Sequence, residues 1–349
     1  MKVKLLLFFL ITSLYAAEFD VWMGKDTKLW SHVKQPEDLE ALDKFRALYE
    51  SNAPYRFTEE GPWKIPPVVH FIWVGPKQFP LESVENVRTW MAENPTWKFK
   101  FWTDRERPPP CHGMEVVVFK KYPFQLRKYY EASDNWGEKS DVLRYEILFY
   151  EGGTYVDHDA NCLIPFEGIH RGYDFYCGLE VPHPPVAGLN VTAGMGVLGA
   201  RPGHPVIKRV IDLIQGRWEG LAAKYPHKDG FSRTQIVMER TYLPLTLALQ
   251  GPLSENGNRD IVFPAAYFFA KPSLTPVYSK HFFANSWADG HKKEVSFEKQ
   301  ITHDLGKVQN KFNRMLILIG IMGAFNLLLM GFSIKYMSQL QHSGAWKKR

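Results

Sequence analysis

Ser140 to Asp159 reads SDVLRYEILFYEGGTYVDHD, and this stretch decides the fold. Val142, Leu143, Tyr145, Ile147, Leu148, Phe149 and Tyr150 cover nearly every side of a helix, which predicts a buried one. Ser140 is placed to cap it, and Asp141 in the first turn suits the helix dipole. Gly152-Gly153 stops the helix, Thr154-Tyr155-Val156 has strand chemistry, and Asp157-His158-Asp159 emerges where that strand ends. In α/β sheets ligands bind beyond the C-terminal ends of the strands. Asp141 and Arg144, three apart, share one helix face. Charges inside an apolar run need a partner.

Upstream, Pro66-Pro67 introduces Val68-Val69-His70-Phe71-Ile72-Trp73-Val74, a continuous apolar run that reads as a central parallel strand opening into a loop at Gly75-Pro76. A helix with Val84, Val87, Trp90 and Met91 follows, then strands at Phe99 to Trp102 and Glu115 to Phe119. Downstream, 175–179 and 194–200 are strand-like, Pro202-Gly203-His204-Pro205 turns into a helix, and a further helix covers roughly 234–249. Residues 261–269 and 281–287 are late, aromatic-rich segments. Strands alternating with helices predict an α/β fold with a mostly parallel sheet.

The chain has 349 residues, 45% hydrophobic and 15% aromatic, enough for a well-filled core. Its net charge is +6. Much of that sits at the ends, in Lys2, Lys4, Lys335, Lys347, Lys348 and Arg349, so it reads as topogenic, and no nucleic-acid partner is expected. The three cysteines match no zinc spacing and allow one bridge, Cys162 to Cys177. Residues 1–17 have a signal-peptide layout. Residues 18–64, with a helical stretch near 36–50, form a stem or packing extension. The main domain spans 65–292, and 293–314 is an amphipathic linker. Met315 through Ile334 is an uncharged run long enough, at ~1.5 Å per residue, to cross roughly 30 Å of bilayer. It predicts a C-terminal transmembrane helix, followed by a basic tail at 335–349. The basic ends put the main domain of a single-pass membrane protein on the luminal or extracytoplasmic side, in the ER or Golgi of a eukaryote.

Asp157 and Asp159 at the mouth of an apolar strand need a cation, and a divalent ion with oxygen ligands is the natural one. Such an ion can hold a diphosphate and neutralise it as it departs. With the strand extended, His158 between them points away from the site.

Taken in order, His70 to Gly75, Trp97 to Asp104 (WKFKFWTD), Ser140-Asp141-x-x-Arg144, Gly152-Gly153-x-Tyr155-x-Asp157-x-Asp159 and Pro202-Gly203-His204-Pro205 resemble the glycosyltransferase family with a DXD sugar-binding region. That family includes Golgi and inositol-phosphoceramide mannosyltransferases and the clostridial glucosylating toxins. The resemblance covers roughly residues 65–290. It implies a GT-A fold, Rossmann-like, and retaining transfer from a nucleotide-sugar with Mn2+ or Mg2+. By the same resemblance Trp73 stacks on the nucleobase, and Asp141 and Arg144 grip sugar hydroxyls unless they pair with each other. Tyr155 and Asp157 contact ribose and sugar, Asp157 and Asp159 form the catalytic pair, and Asp159 ligates the metal with His281. Ser286 and Trp287 close over the diphosphate. Where the family often has Asn this chain has Met195. Asn190 can replace it only if its own Asn-Val-Thr sequon stays unglycosylated.

The expected activity is metal-dependent hexosyl transfer, mannose favoured, with front-side attack by the acceptor hydroxyl and no covalent nucleophile. The expected donor is GDP-mannose or a UDP-hexose, and the acceptor a lipid or glycan near the membrane. The competing readings are an inactive relative that binds nucleotide-sugar or glycan, a UDP-hexose transferase acting on protein or glycan, and a metal-dependent hydrolase.

Overall fold

The apolar run at 68–72 forms β1 (Val68–Ile72), buried at every position. Residues 19–225 and 230–284 are described in the computed structural model. β1 lies between β2 (Lys98–Thr103) and β4 (Gly153–Val156), parallel to both, and β3 (Glu115–Val118) extends the sheet beyond β2. On the other side follow β7 (Ala193–Ala200), β6 (Phe175–Leu179) and β8 (Asp260–Phe263), giving the order β3-β2-β1-β4-β7-β6-β8. Four of the six pairings are parallel, while β4–β7 and β6–β7 are antiparallel. The mostly parallel α/β sheet is as expected. A second, two-stranded sheet pairs β5 (Ala160–Cys162) with β9 (Ser279–His281).

Chain order runs outward from β1 through β2 to β3 and then returns to the other side of β1 with β4. At such a reversal a crevice opens beyond the C-terminal strand ends. Trp73 and Asp157 stand there.

The helices are α1 (Pro36–Asn52), α2 (Leu81–Glu93), α3 (Arg127–Ala132), α4 (Trp136–Glu151), α5 (Glu167–Gly172), α6 (Pro205–Lys224), α7 (Gly230–Val237) and α8 (Leu243–Gln250). Ser140 does not cap α4. Asn135 does, its side chain accepting from the Glu138 N–H at 3.0 Å. The polar first turn hides this start, although Glu138 is itself buried and accepts from Ser133 Oγ at 2.6 Å. Asp141 therefore lies beyond the first turn, and the helix dipole does not account for it. Gly152 and Gly153, both at positive φ, turn α4 into β4. A Cβ on Gly153 would stand 2.5 Å from Val68 Cγ1 and 2.6 Å from the Val68 carbonyl, so only glycine lets β4 start this close to β1.

The helix expected over 234–249 is interrupted. Met238–Tyr242 is a π turn, closed by the Leu243 N–H on the Met238 carbonyl. Pro244, next in line, has no N–H and crowds the turn before it, which accounts for the widening. Upstream of residue 65 the chain shares the same core. The Tyr49 hydroxyl of α1 lies 2.8 Å from that of Tyr267, and Lys44 donates to the carbonyls of Leu249, Gln250 and Gly251 at the end of α8. Cys111, Cys162 and Cys177 are all free, so the 162–177 bridge is not formed. Among the described residues no helix is long and apolar enough to cross a membrane. The expected signal segment 1–17, linker 293–314, transmembrane run 315–334 and tail 335–349 lie outside the described residues, as do Ser286 and Trp287.

His70 ties β1 to the start of β4, and its protonation state can be read from its partners. The Trp102 indole N–H, which can only donate, lies 3.0 Å from His70 Nδ1. Nε2 faces the Gly152 carbonyl at 2.8 Å and must carry the hydrogen. A second proton would set two N–H groups against each other, and burial adds to this, taking the ring down to about 3. Buried His170 is likewise lowered to about 3. Below pH 6.5 the unfolded chain takes up protons that the folded chain refuses. Stability therefore falls as pH drops from about 6.5 toward 3, by ~1.4 kcal/mol per pH unit for each histidine. Urea unfolding between pH 7 and 4.5 should show this slope. His70→Asn should be less stable at pH 7 but lose stability less steeply, and an unchanged slope would contradict the assignment.

Candidate active site

β4 delivers Asp157 to the crevice, and β5 brings Asp159 past it. Pairing of Ala160 with His281 sets β9 alongside, so a histidine 124 positions away in sequence reaches both aspartates. His281 Nε2 is 3.2 Å from Asp157 Oδ2 and 3.5 Å from Asp159 Oδ1. The three residues each offer a ligand atom within 4.8 Å of the others, the one such group among the described residues. Asp159 Oδ2 also accepts from the Ala284 N–H at 2.6 Å, and Asp157 Oδ1 from the Tyr155 hydroxyl at 2.6 Å. Two carboxylates with one imidazole suit a divalent ion of the Mn2+ or Mg2+ kind. Against the upward push of burial, Arg144 and His281 hold Asp157 well below the usual carboxylate range. Burial works against the charge on His281, but the hydrogen bond to Asp157 and the nearby Asp159 raise its pKa overall.

Asp141 and Arg144 are both 4% exposed and both line the cavity. Their first contact is each other, Arg144 donating to Asp141 Oδ1 at 2.6 Å. Arg144 also donates to the Met195 carbonyl at 2.6 Å, approaches Asp157 Oδ1 at 3.4 Å, and lies 4.0 Å from the Tyr155 ring centroid. The π turn puts Thr241 Oγ1 on Asp141 Oδ2 at 2.7 Å. Burial pushes the Asp141 carboxyl up to about 7 in spite of Arg144. One guanidinium thus links the helix, Asp157 and the β7 strand. Met195 serves this link through its backbone.

The cavity measures about 340 Å³. Trp73 is fixed at its wall by a 2.8 Å hydrogen bond from Nε1 to the Lys77 carbonyl and by edge contacts to Phe79 and His158. His158 does not point away as expected. It turns beside Trp73, its Nδ1 2.8 Å from Ser83 Oγ, and reaches the cavity wall. Trp136 forms another part of the wall and is 41% exposed. It lies on Gly75, where a Cβ would come within 2.6 Å of the indole, and Gly75 is at φ +90. Asn190 does not stand in for an asparagine at Met195. It is buried, donates to the His183 carbonyl at 2.9 Å, and takes no part in the cavity wall. Trp136, Glu180 and Tyr242 are wall residues that no motif marked. The glycine after β1 was the one available sign of Trp136.

Residues 80–176 match the family described as glycosyltransferase sugar-binding region containing DXD motif. That span holds Asp141, Arg144, Tyr155 and the chain's only Asp-x-Asp, Asp157 and Asp159. The protein named subversion of eukaryotic traffic protein A, from Legionella pneumophila, is 27% identical over 163 residues, 42% of this chain and 24% of that protein. Inositol phosphoceramide mannosyltransferase 1 of Schizosaccharomyces pombe is 28% identical over 169 residues, 47% of each chain. The chain thus spans half or less of the length of these relatives. The solved structure named PaToxG glycosyltransferase superposes with a TM-score of 0.42 at 19% identity, over 62% of this chain and 79% of that one. From 80 to 176, then, the chain carries the sequence of a glycosyltransferase sugar-binding region containing a DXD motif.

Proposed function

We propose that the chain is a retaining, metal-dependent glycosyltransferase of GT-A type that moves a hexose from a nucleotide-sugar to a lipid or glycan acceptor close to a membrane. The convergence of Asp157, Asp159 and His281 next to the aromatic walls, at the reversal of strand order, carries this reading. Asp159 and His281, with Asp157 beside them, would hold Mn2+ or Mg2+. Bound there, the ion would offset negative charge on the departing diphosphate. Trp73 and Trp136 offer two aromatic faces for the nucleobase. Arg144 keeps Asp141 and Asp157 fixed around the sugar, and Tyr155 steadies Asp157. Ser286 and Trp287 would close over the diphosphate. Mannose is the favoured sugar, supported by the name of the Schizosaccharomyces pombe relative. A membrane span at 315–334 behind a leader at 1–17 would hold the site near a membrane acceptor, in the ER or Golgi lumen of a eukaryote.

Turnover of GDP-mannose, UDP-glucose, UDP-galactose and UDP-N-acetylglucosamine with Mn2+ tests the activity. The reading fails if none is consumed. Trp136→Ala should weaken binding of the matching nucleoside diphosphate about tenfold by calorimetry, the worth of one stacked base. Unchanged affinity would remove Trp136 from the base site.

A further inference from the structure

Asp104 closes the Trp97 to Asp104 stretch, yet it takes no part in the cavity wall. Its position follows from the sheet. β1 and β2 run parallel with Ile72 opposite Trp102, so the two strands end together and their exit loops are neighbours. The Trp102 carbonyl accepts from the Trp73 N–H at 2.9 Å. Two residues beyond Trp102, Asp104 receives the Gly75 N–H, with both carboxylate oxygens at 3.3 Å. Arg107 then reaches back over the loop that follows β1. Its Nη2 donates to the Gly75 carbonyl, and its Nη1 to the Lys77 carbonyl at 2.9 Å. The same Nη2 lies 3.4 Å from Asp104 Oδ1, and Arg105 pairs with Asp104 Oδ2 at 2.8 Å. For a charged group on a loop, the Arg107 side chain is well covered, at 11% exposed.

Trp73 depends on this arrangement. Its indole N–H donates to the Lys77 carbonyl, four residues ahead, and residues 76–78 between β1 and α2 are exposed. A bond within one exposed loop holds the ring only as firmly as something else holds the loop. Arg107 does so from 30 positions away, on the very carbonyl that Trp73 uses. Gly75, on which Trp136 lies, is held at its N–H by Asp104 and at its carbonyl by Arg107. The planar fork of a guanidinium reaches both carbonyls at a set spacing, which an ammonium on a flexible stem does not.

We propose that Arg107 is a positioning residue for the donor's nucleobase. With Asp104 it fixes the loop 75–77, and through that loop it sets the gap between Trp73 and Trp136 in which the base is stacked. Arg107 does not line the cavity and so acts through the two tryptophans. The bonds described for Arg107 and Asp104 reach none of Asp157, Asp159 and His281. Loss of Arg107 should therefore cost base affinity and leave the metal group as it was.

This inference rests on the transferase reading, and the test separates the two. Calorimetry on the full chain uses Mn2+ with GDP and with UDP, and Mn2+ with pyrophosphate as a ligand that has no base. Arg107→Met should weaken the nucleoside diphosphate that the wild-type chain binds about tenfold, the worth of one stacked base. Pyrophosphate affinity should stay within about twofold, and donor KM should rise about tenfold with kcat nearly unchanged. In a Trp73→Ala background, where no gap is left to set, Arg107→Met should add less than about twofold. Arg107→Lys keeps the charge beside Asp104 but not the fork, so it should show the same pattern at about threefold, and it carries the test if Arg107→Met does not fold. A structural role alone would weaken both ligands alike and would add in full to Trp73→Ala. Either of those results, or unchanged nucleoside diphosphate affinity in both Arg107 variants, overturns the inference and leaves the transferase reading standing. A wild-type chain that binds neither GDP nor UDP with Mn2+ overturns both.

Discussion

Asp159→Asn should lose roughly a thousandfold in donor turnover, about 4 kcal/mol, while folding as the parent does. The asparagine is nearly the same size, and its Oδ1 can still accept from the Ala284 N–H, which Asp159 Oδ2 holds at 2.6 Å. What disappears is a negative ligand from a group of three. The remaining pair, Asp157 and His281, is partly satisfied without an ion, because His281 Nε2 lies 3.2 Å from Asp157 Oδ2. Calorimetry should show loss of Mn2+-dependent nucleotide binding, with a thermal midpoint in metal-free buffer close to the parent's. More than a tenth of wild-type turnover, with unchanged Mn2+ dependence, would exclude Asp159 as a metal ligand.

The parts of the fold that sequence made legible are those where period and burial agree. β1 is buried at every position, and the run at 68–72, apolar but for His70, says so directly. The reach of α4 was harder to read. Its first turn is polar in composition but buried in place, since Ser133 and Arg240 attend Glu138, and such partners cannot be inferred from local pattern. The antiparallel β7 was hidden for a related reason, because a small-residue strand such as Ala193–Ala200 carries no sign of direction. At the site, Asp157 and Asp159 were visible from strand chemistry. His281 was reached only through resemblance, because its contact with Asp157, made through the pairing of β5 with β9, spans 124 positions. Trp136 and Glu180 carry no local mark. Each becomes a wall residue through what lies across from it.

Arg144→Met should be the most destabilising single change at the site, by about 3 to 5 kcal/mol. Methionine keeps the bulk of the stem but removes the cation that lies between Asp141, Asp157 and the Met195 carbonyl. Two buried carboxyls are then left side by side. Asp141, already pushed up to about 7 by burial, would give up its charge altogether. At 2–4 °C per kcal/mol the melting temperature should drop by roughly 10 °C. The partner change separates structure from chemistry. Asp141→Asn removes the carboxyl that Arg144→Met forces to take up a proton, so the double variant should recover at least about half of the lost stability. It should recover none of the turnover if Arg144 also orders Asp157 and the sugar, because Asp157 still lacks its guanidinium. Equal recovery of stability and turnover would mean that Asp141 and Arg144 are a structural ion pair alone. No recovery of stability would mean that Arg144 acts chiefly through Asp157 and the Met195 carbonyl.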